Sequence, residues 1–277
     1  MLRHFRRNLP NPWPVHPRKK FPLKDNPLRN PGQSLDEAIQ RLMDEDVSVL
    51  IAVMMLCLVT AGYEWWRWYA NVPYHPVYTT LFGGGIATYC VFRLYRLKQQ
   101  LKTLKLARDG EKAVGQYLER LREKGYRIFH DVIGDHFNLD HVIIGSQGIF
   151  TIETKTFSKP IKGKANIYFD GKAITINGNT PERNPITQAQ AQAHWLSEQI
   201  TASTGQTHPI KPVVVFPGWF VTSSSQAKSS NVWVINLKGL PKFLEHAPNR
   251  LNPETVQLIA YHLSRYVRTQ AQTDRKS

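Results

Sequence analysis

Three charged side chains interrupt the apolar stretch Leu139–Lys155, which reads LDHVIIGSQGIFTIETK. Two runs rich in β-branched residues flank a Gly-Ser-Gln-Gly sequence at residues 145–148, and this pattern predicts a β-hairpin. A register symmetric about that turn places Asp140 directly opposite Glu153. Because side chains alternate along a strand, Glu153 and Lys155 share one face. The hairpin is therefore expected to bring two carboxylates and one ammonium group to one patch of the sheet.

These residue types point to metal-dependent phosphodiester chemistry. Like charges that face each other destabilise a sheet, and a divalent cation would offset that cost. Mg²⁺ prefers oxygen ligands and keeps several waters, so Asp140 and Glu153 would suffice as its protein ligands, with Mn²⁺ as an alternative ion. Lys155 would orient or deprotonate the attacking water, or stabilise charge on the phosphate. From these residues alone, a solvated and salt-bridged strand face is the alternative.

The surrounding pattern predicts a mixed α/β domain that holds this hairpin. We find no internal repeat and no glycine-rich phosphate loop. The pattern predicts helices at residues 109–124 and 187–201 and a closing helix after Asn252, and strands at residues 126–132, 138–144, 149–156, 165–169, 173–176, 210–216 and 231–236.

Two uncharged apolar runs, at residues 47–63 and 77–92, precede this domain. The first is near the lower limit of about 20 residues for a transmembrane helix. An aromatic cluster at residues 65–69 follows it, as is typical of a membrane interface. Basic residues lie before the first run and after the second, so the positive-inside rule predicts that both termini are cytoplasmic. The alternative is a soluble, buried helical hairpin.

The expected organisation has four parts. Residues 1–46 form a basic, Pro-rich cytoplasmic tail with a short amphipathic helix, for which Ser34 and Glu37 predict a capping box. Residues 47–95 form a transmembrane helical hairpin, residues 96–108 a basic linker helix, and residues 109–277 the catalytic domain with its closing helix. The net charge of +15 favours phosphate-rich partners or anionic lipid.

Four motifs, in order, resemble the nuclease-related domain (NERD) family. They are GEKAVGQYLERL at residues 110–121, FHDV at 129–132, the hairpin sequence at 139–155, and NPITQAQAQAHWL at 184–196. The resemblance covers roughly residues 106–222. That family is similar to restriction-endonuclease-like nucleases with a D…(D/E)xK core. The resemblance implies an α/β fold with a restriction-endonuclease-like mixed sheet flanked by helices, and Mg²⁺-dependent cleavage of DNA.

The resemblance also implies roles for individual residues. Asp140 and Glu153 match the metal-binding acids, and Lys155 matches the catalytic lysine. Glu111 matches the glutamate of the family's first helix, and Gln188 matches the glutamine of the helix that follows the hairpin. Together, Glu111, Asp140, Glu153, Lys155 and Gln188 form the predicted catalytic set.

Several of these residues have other interpretations. Glu111 fits the start of a helix, where a carboxylate favours the helix dipole. Gln188 fits a polar helix face that it shares with Gln192, four residues later. A run of lysines after the catalytic strand fits either phosphate contacts or a solvated loop; it comprises Lys159, Lys162 and Lys164.

Histidine–aspartate pairs near the hairpin raise a histidine-ligated metal as a further alternative. His130 precedes Asp131, and His141 follows Asp140. Adjacent residues of a strand point to opposite faces, so neither pair can present both side chains to one ion. We therefore favour the carboxylate site.

The sequence thus predicts a multi-pass protein of the inner membrane that acts as a metal-dependent endonuclease at the cytoplasmic face. It would hydrolyse phosphodiester bonds of nucleic acid, with DNA favoured, in DNA processing or defence, and its partners would be nucleic acid and the lipid bilayer. One alternative is a non-catalytic nucleic-acid-binding or membrane scaffold protein that uses a nuclease-like fold. Another is a protein whose basic segments bind anionic lipid.

Overall fold

The computed structural model describes residues 27–72, 76–135, 137–159, 165–181 and 183–273. Most of the predicted tail, residues 1–26, lies outside the described residues, as do Lys162 and Lys164. The helices are α1 (Gln33–Arg41), α2 (Ser48–Tyr69), α3 (Pro76–Glu119), α4 (Pro185–Thr204), α5 (Leu240–Glu245) and α6 (Pro253–Thr273), and the strands are β1 (Arg127–Ile133), β2 (Asn138–Gly145), β3 (Gly148–Thr154), β4 (Asn166–Phe169), β5 (Ile174–Ile176), β6 (Ile210–Val215), β7 (Phe220–Ser223) and β8 (Trp233–Ile235).

A five-stranded mixed sheet lies at the centre of the domain, in the order β1-β2-β3-β6-β8. β1, β2 and β3 pair antiparallel, whereas β3, β6 and β8 pair parallel. The crossover from β3 to β6 contains α4, as parallel strands require. The predicted mixed sheet flanked by helices is confirmed.

The predicted hairpin forms with the predicted register over most of its length. Ile144 pairs with Ile149, and the ladder extends to His141 and Ile152. Beyond that pair, Asp140 does not stand directly opposite Glu153 in the ladder. Instead, its carboxylate accepts a hydrogen bond of 2.6 Å from the backbone N–H of Thr154. The carboxylate therefore ties the end of β3 to β2.

Helices cover both faces of the sheet, which explains why all seven residues of β3 are buried. On one face, Val114 and Leu118 of α3 pack against Phe150 and Ile152. On the other face, Leu196 of α4 and residues of α6 pack against the remaining strand residues. Each fully buried side chain of this size stabilises the fold by roughly 1.5–3 kcal/mol. The two layers fix the strand that carries the predicted catalytic residues.

α3 is one continuous helix of 44 residues, and it runs through the predicted linker at residues 96–108. It ends in a 3₁₀ turn, and Gly125, with a φ of 88°, then reverses the chain into β1. Glu111 consequently lies well inside the helix. The helix-dipole role suggested for Glu111 is wrong, because that effect is confined to the terminal turns.

A small second sheet, in the order β5-β4-β7, packs beside the main sheet. The strands predicted at residues 165–169 and 173–176 are confirmed as β4 and β5, which pair antiparallel. β7 was not predicted, because its four residues carry no apolar alternation and pair with β4 only through the tertiary fold. The short helix α5 was also not predicted, because six residues give little periodic signal.

The segment before the helical hairpin of α2 and α3 packs against the domain instead of forming a free tail. α1 begins at Gln33 after Gly32, so the predicted capping box at Ser34 is wrong. The hydroxyl of Ser34 donates to Asp131 of β1 instead. Glu37 forms a salt bridge of 3.1 Å with Arg29. The Ser-Glu pattern serves a tertiary contact with β1, which sequence spacing could not reveal.

One helical stretch in the described part of the chain, Gln33–Tyr69, is long and apolar enough to cross a membrane, by length and composition. None of the residues of α2 is buried in the protein. α2 packs along the start of α3, where the Trp65 indole donates to Thr80 at 3.1 Å. α3 does not meet the same limits of length and composition. Of the two predicted membrane helices, one is therefore long and apolar enough to span a bilayer.

Candidate active site

The predicted catalytic lysine and glutamate meet at the C-terminal end of β3. Lys155 Nζ lies 2.6 Å from Glu153 Oε1, and the Glu153 side chain is 3% exposed. β3 places both on one face, and parallel pairing with β6 continues through the Lys155 N–H, which donates to Val215 at 3.0 Å. The same-face prediction for these two residues is confirmed. The Lys155 side chain is 24% exposed, so the ion pair is half-buried, with its carboxylate enclosed by the protein.

α4 contributes two glutamines, spaced by one helical turn, to this ion pair. Gln188 Oε1 accepts a hydrogen bond of 2.8 Å from Lys155. Gln192, which is 1% exposed, donates to Glu153 Oε2 at 2.6 Å and to the Asn138 carbonyl at 3.0 Å. α4 is positioned by Asn184, whose side chain accepts from the Ile186 N–H at its start. The sequence placed Gln192 on the face of Gln188 but did not identify it as a site residue.

Asp140 adds a second carboxylate at the same end of the sheet. Burial raises its pKa well above the usual value, and repulsion from Glu153 and Glu111 raises it further. The hydrogen bond from Thr154 and the charge of Lys155 act in the opposite direction. Asp140 and Glu153 thus repel each other electrostatically, although the strand ladder ends before them.

Glu111 approaches the same cluster from α3. α3 approaches Thr156 closely at Gly110, where an added Cβ would lie 1.7 Å from the Thr156 hydroxyl. Glycine at that position therefore lets α3 pass directly over the end of β3. The pKa of Glu111 rises to about 8, first through burial and then through repulsion from Asp131 and Glu153, while Lys155 lowers it. Glu111 is part of the acidic cluster.

Asp131 is a fourth carboxylate, which sequence reasoning did not assign to the site. It has a φ of 50° and interrupts the β1–β2 ladder at the position opposite Asp140. Its carboxylate accepts from Arg29 at 2.6 Å, and both side chains are almost fully buried. The Ser34 N–H donates to it at 2.9 Å. The register of β1 could have suggested Asp131, but nothing in the sequence indicates Arg29.

The two histidines bind each other rather than the carboxylates of the cluster. Their Nδ1 atoms are 2.8 Å apart, and His130 Nε2 lies 2.7 Å from Glu119. Burial lowers the pKa of both imidazoles, and that of His141 falls well below its usual value. In the described residues, no group of three or more His, Cys, Asp or Glu is arranged to hold a metal ion. Any metal here would rest on fewer protein ligands, with waters or a substrate completing its shell.

The chemistry of the cluster suits a hard divalent cation bound by two carboxylates. Four carboxylates converge, and two cationic side chains, Lys155 and Arg29, balance them. One buried oxygen beside Glu153, Gln192 Oε1, has no hydrogen-bond partner within the described residues. Such an acceptor suits a water that Mg²⁺ retains. Lys159 is exposed and lies near Gly218, outside the cluster.

Comparison with known proteins gives a family for this region. The family model of the nuclease-related domain matches residues 106–217. An uncharacterized protein of Bacillus anthracis is 37% identical over 100 residues, covering 32% of this chain and 46% of that protein. The chain thus spans less than half the length of this relative.

Among solved structures, Pyrococcus furiosus SfsA in complex with Ca²⁺ is 18% identical, with coverage of 51% of this chain and 56% of that chain. The TM-score between the two chains is 0.24. The family match includes the C-terminal part of α3, the hairpin and α4, which together hold the cluster of Glu111, Asp140, Glu153, Lys155 and Gln188. Residues 106–217 therefore match the nuclease-related domain family.

Proposed function

We propose that this protein is a membrane-anchored, Mg²⁺-dependent nuclease that hydrolyses phosphodiester bonds of DNA at the cytoplasmic face of the membrane. The observation that carries the proposal is the joint placement of Asp140, Glu153 and Lys155 at one end of β3. The Lys155–Glu153 distance of 2.6 Å makes them a unit. The match to the nuclease-related domain supports the same activity.

Each residue of the cluster has a role that its contacts support. Asp140 and Glu153 would hold the metal, which when bound activates water and polarises the phosphate. Lys155 would stabilise charge on the phosphate or orient the water, and Gln188 holds its ammonium at 2.8 Å. Gln192 fixes the second oxygen of Glu153. Glu111 keeps its proton at neutral pH in the metal-free protein, since its pKa is about 8.

Membrane anchoring by a helical hairpin is part of the proposal. α2 has 22 residues and therefore spans about 33 Å, close to the thickness of a bilayer core. Large apolar side chains on α2 and the first half of α3 are exposed, including Leu58, Trp66 and Phe82. Lipid would cover these side chains. Lys and Arg residues after position 92 favour a cytoplasmic position for the domain.

A cleavage assay on the purified full chain in detergent micelles tests the activity. Supercoiled plasmid, single-stranded DNA and RNA are incubated with Mg²⁺, Mn²⁺ or EDTA. Lys155→Ala is the test variant, and Lys172→Ala, an exposed lysine in the β4–β5 turn, is the matched control. We expect metal-dependent scission of DNA that Lys155→Ala loses and Lys172→Ala keeps.

The full chain is the appropriate sample because Arg29, far from the family match in sequence, neutralises the buried Asp131. A fragment that begins at residue 106 would leave that carboxylate without its cation. Scission that is equal in Lys155→Ala and the wild type would indicate a contaminant and would contradict the proposal. DNA binding that decreases with salt, without any scission, would favour the non-catalytic alternative.

A further inference from the structure

A second candidate site lies at the opposite end of β3. A cavity of about 750 Å³ opens where β3 and β6 begin, and it is bounded by the segment from α5 to residue 250. We call it the β3-start pocket; the residues that matter here are Phe150, Lys211, Trp233, Lys242, Phe243 and Arg250. Its volume is in the range of sites that bind small organic ligands. Five residues along a strand separate Phe150 from Lys155, a distance of about 16 Å.

The charges of this pocket have one sign. Lys211, Lys242 and Arg250 line it, and no aspartate or glutamate does. None of these three cations forms a salt bridge in the part of the chain that the structure describes. Lys211 is the most enclosed of them; its ammonium donates to the Ser230 carbonyl at 3.1 Å. Burial and the charge of Arg250 lower the pKa of Lys211. The pocket therefore has cationic capacity that its own residues do not neutralise.

Aromatic rings form the other part of the wall. Trp233 stacks on Phe150 with ring centroids 5.5 Å apart and meets Phe243 at 5.3 Å in an edge contact. Phe243 is 43% exposed, so part of its ring is open to a ligand. Lys211 Nζ lies 5.4 Å from the Trp233 ring centroid. The cavity thus combines a large aromatic surface with cations that form no salt bridge among the described residues.

We propose that the β3-start pocket binds a nucleotide, either free or as one unit of a nucleic-acid strand. A nucleotide combines a flat aromatic base with a phosphate, and the pocket offers aromatic rings for the first and cations for the second. Aromatic side chains stack on bases without regard to sequence. Arg250 and Lys242 can form charge-assisted hydrogen bonds with phosphate oxygens. This binding does not depend on the proposed nuclease activity, since the two sites lie at opposite ends of β3.

Fluorescence anisotropy on the full chain in detergent micelles, with EDTA present to prevent cleavage, tests this proposal. The probes are mant-labelled AMP and a fluorescein-labelled oligothymidylate, with unlabelled adenosine and inorganic phosphate as competitors. The test variants are Lys242→Gln/Arg250→Gln, which removes two exposed cations, and Phe243→Ser, which removes the exposed ring. Lys238→Gln, an exposed lysine outside the pocket, is the matched control.

We expect mant-AMP to bind and the Lys242→Gln/Arg250→Gln variant to bind it at least tenfold more weakly, because each lost charge-assisted bond costs roughly tenfold. Lys238→Gln should bind as the wild type does. Tighter binding of the oligonucleotide than of mant-AMP, weakened in the Lys242→Gln/Arg250→Gln variant, would identify a strand as the ligand of the pocket, and equal binding would identify the free nucleotide. The proposal is overturned if neither probe binds, or if the pocket variants bind as tightly as Lys238→Gln.

Discussion

The two ends of β3 carry opposite chemistry on the same short strand. At the C-terminal end, Glu153 and Lys155 lie in a cluster of buried and half-buried carboxylates, where hydrogen bonds link β3 to α4 and to Asp140 of β2. At the N-terminal end, the β3-start pocket is basic and aromatic, and its cations form no salt bridge among the described residues. The charged groups of the first end have partners within the protein, whereas those of the second end are left for the ligand that we propose.

The difference separates two ways in which a site can be prepared. In the acidic cluster, burial and then repulsion between carboxylates raise the pKa of Asp140 and Glu111, so the protein carries an electrostatic cost that a cation would relieve. In the β3-start pocket, Lys242 and Arg250 are exposed and cost little to keep charged. Changes at the acidic end should therefore affect both activity and stability, whereas changes at the basic end should affect binding alone.

Asp140→Asn tests the acidic end most strongly. The substitution removes one of the two proposed metal ligands, and we expect plasmid cleavage to fall on the order of a thousandfold. The metal-free protein should not be destabilised, because the variant also removes repulsion with Glu153 and Glu111. Plasmid nicking and thermal unfolding in EDTA measure the two effects. Asp170→Asn, in an exposed turn, is the control, and normal cleavage by Asp140→Asn would refute the site.

Arg29→Ala tests whether Arg29 stabilises the buried Asp131, the fourth carboxylate of the acidic end. The variant leaves Asp131 buried without its cation, and we expect a loss of about 3–5 kcal/mol in the free energy of unfolding. Urea unfolding of the full chain, followed by tryptophan fluorescence, measures it. Lys124→Ala, which removes an exposed ion pair with Glu245, should leave the midpoint unchanged. Arg29→Ala/Asp131→Asn should recover part of the loss; no loss in Arg29→Ala would contradict the network.

Gln192→Ala sharpens the distinction between positioning and packing at the same end. Gln192 donates a hydrogen bond to Glu153 and to no other residue of the acidic cluster. Because Glu153 is a proposed metal ligand, loss of this bond should lower cleavage roughly 10–100-fold, as is typical of residues that hold metal ligands in place. The metal concentration for half-maximal activity should rise as well, which a purely structural role would not explain. Gln190→Ala, exposed on the same helix, is the matched control. Equal effects of the two substitutions would exclude a positioning role.

Glu111→Gln tests the electrostatic cost through its pH dependence. The folded state holds the Glu111 proton up to a pKa of about 8, whereas the unfolded chain releases it near 4.5. Unfolding therefore releases a proton between these values, and this group lowers stability as pH rises through that window. In EDTA, the melting temperature of the wild type should fall more steeply from pH 5 to pH 8 than that of Glu111→Gln. Identical slopes would show that Glu111 is solvated; saturating Mg²⁺ should flatten the wild-type slope.

The sequence determined the hairpin and its central register, because alternation and turn composition are local properties of Leu139–Lys155. It also determined that Glu153 and Lys155 share a face, since strand geometry alone requires this. The sequence further indicated the order of strands and helices and the family of the domain. It placed the apolar run that becomes α2, because length and hydropathy are readable without a fold.

Only the tertiary structure decided the contacts between distant segments. Arg29 meets Asp131, which is 102 residues away, and no local pattern encodes that pairing. Glu111 joins the site because α3 continues without a break and passes over Thr156 at Gly110. The β3-start pocket exists because α5 and residues 246–250 fold over the sheet edge. These features depend on how separate elements pack, and packing follows from side-chain shape in three dimensions and not from periodicity along the chain.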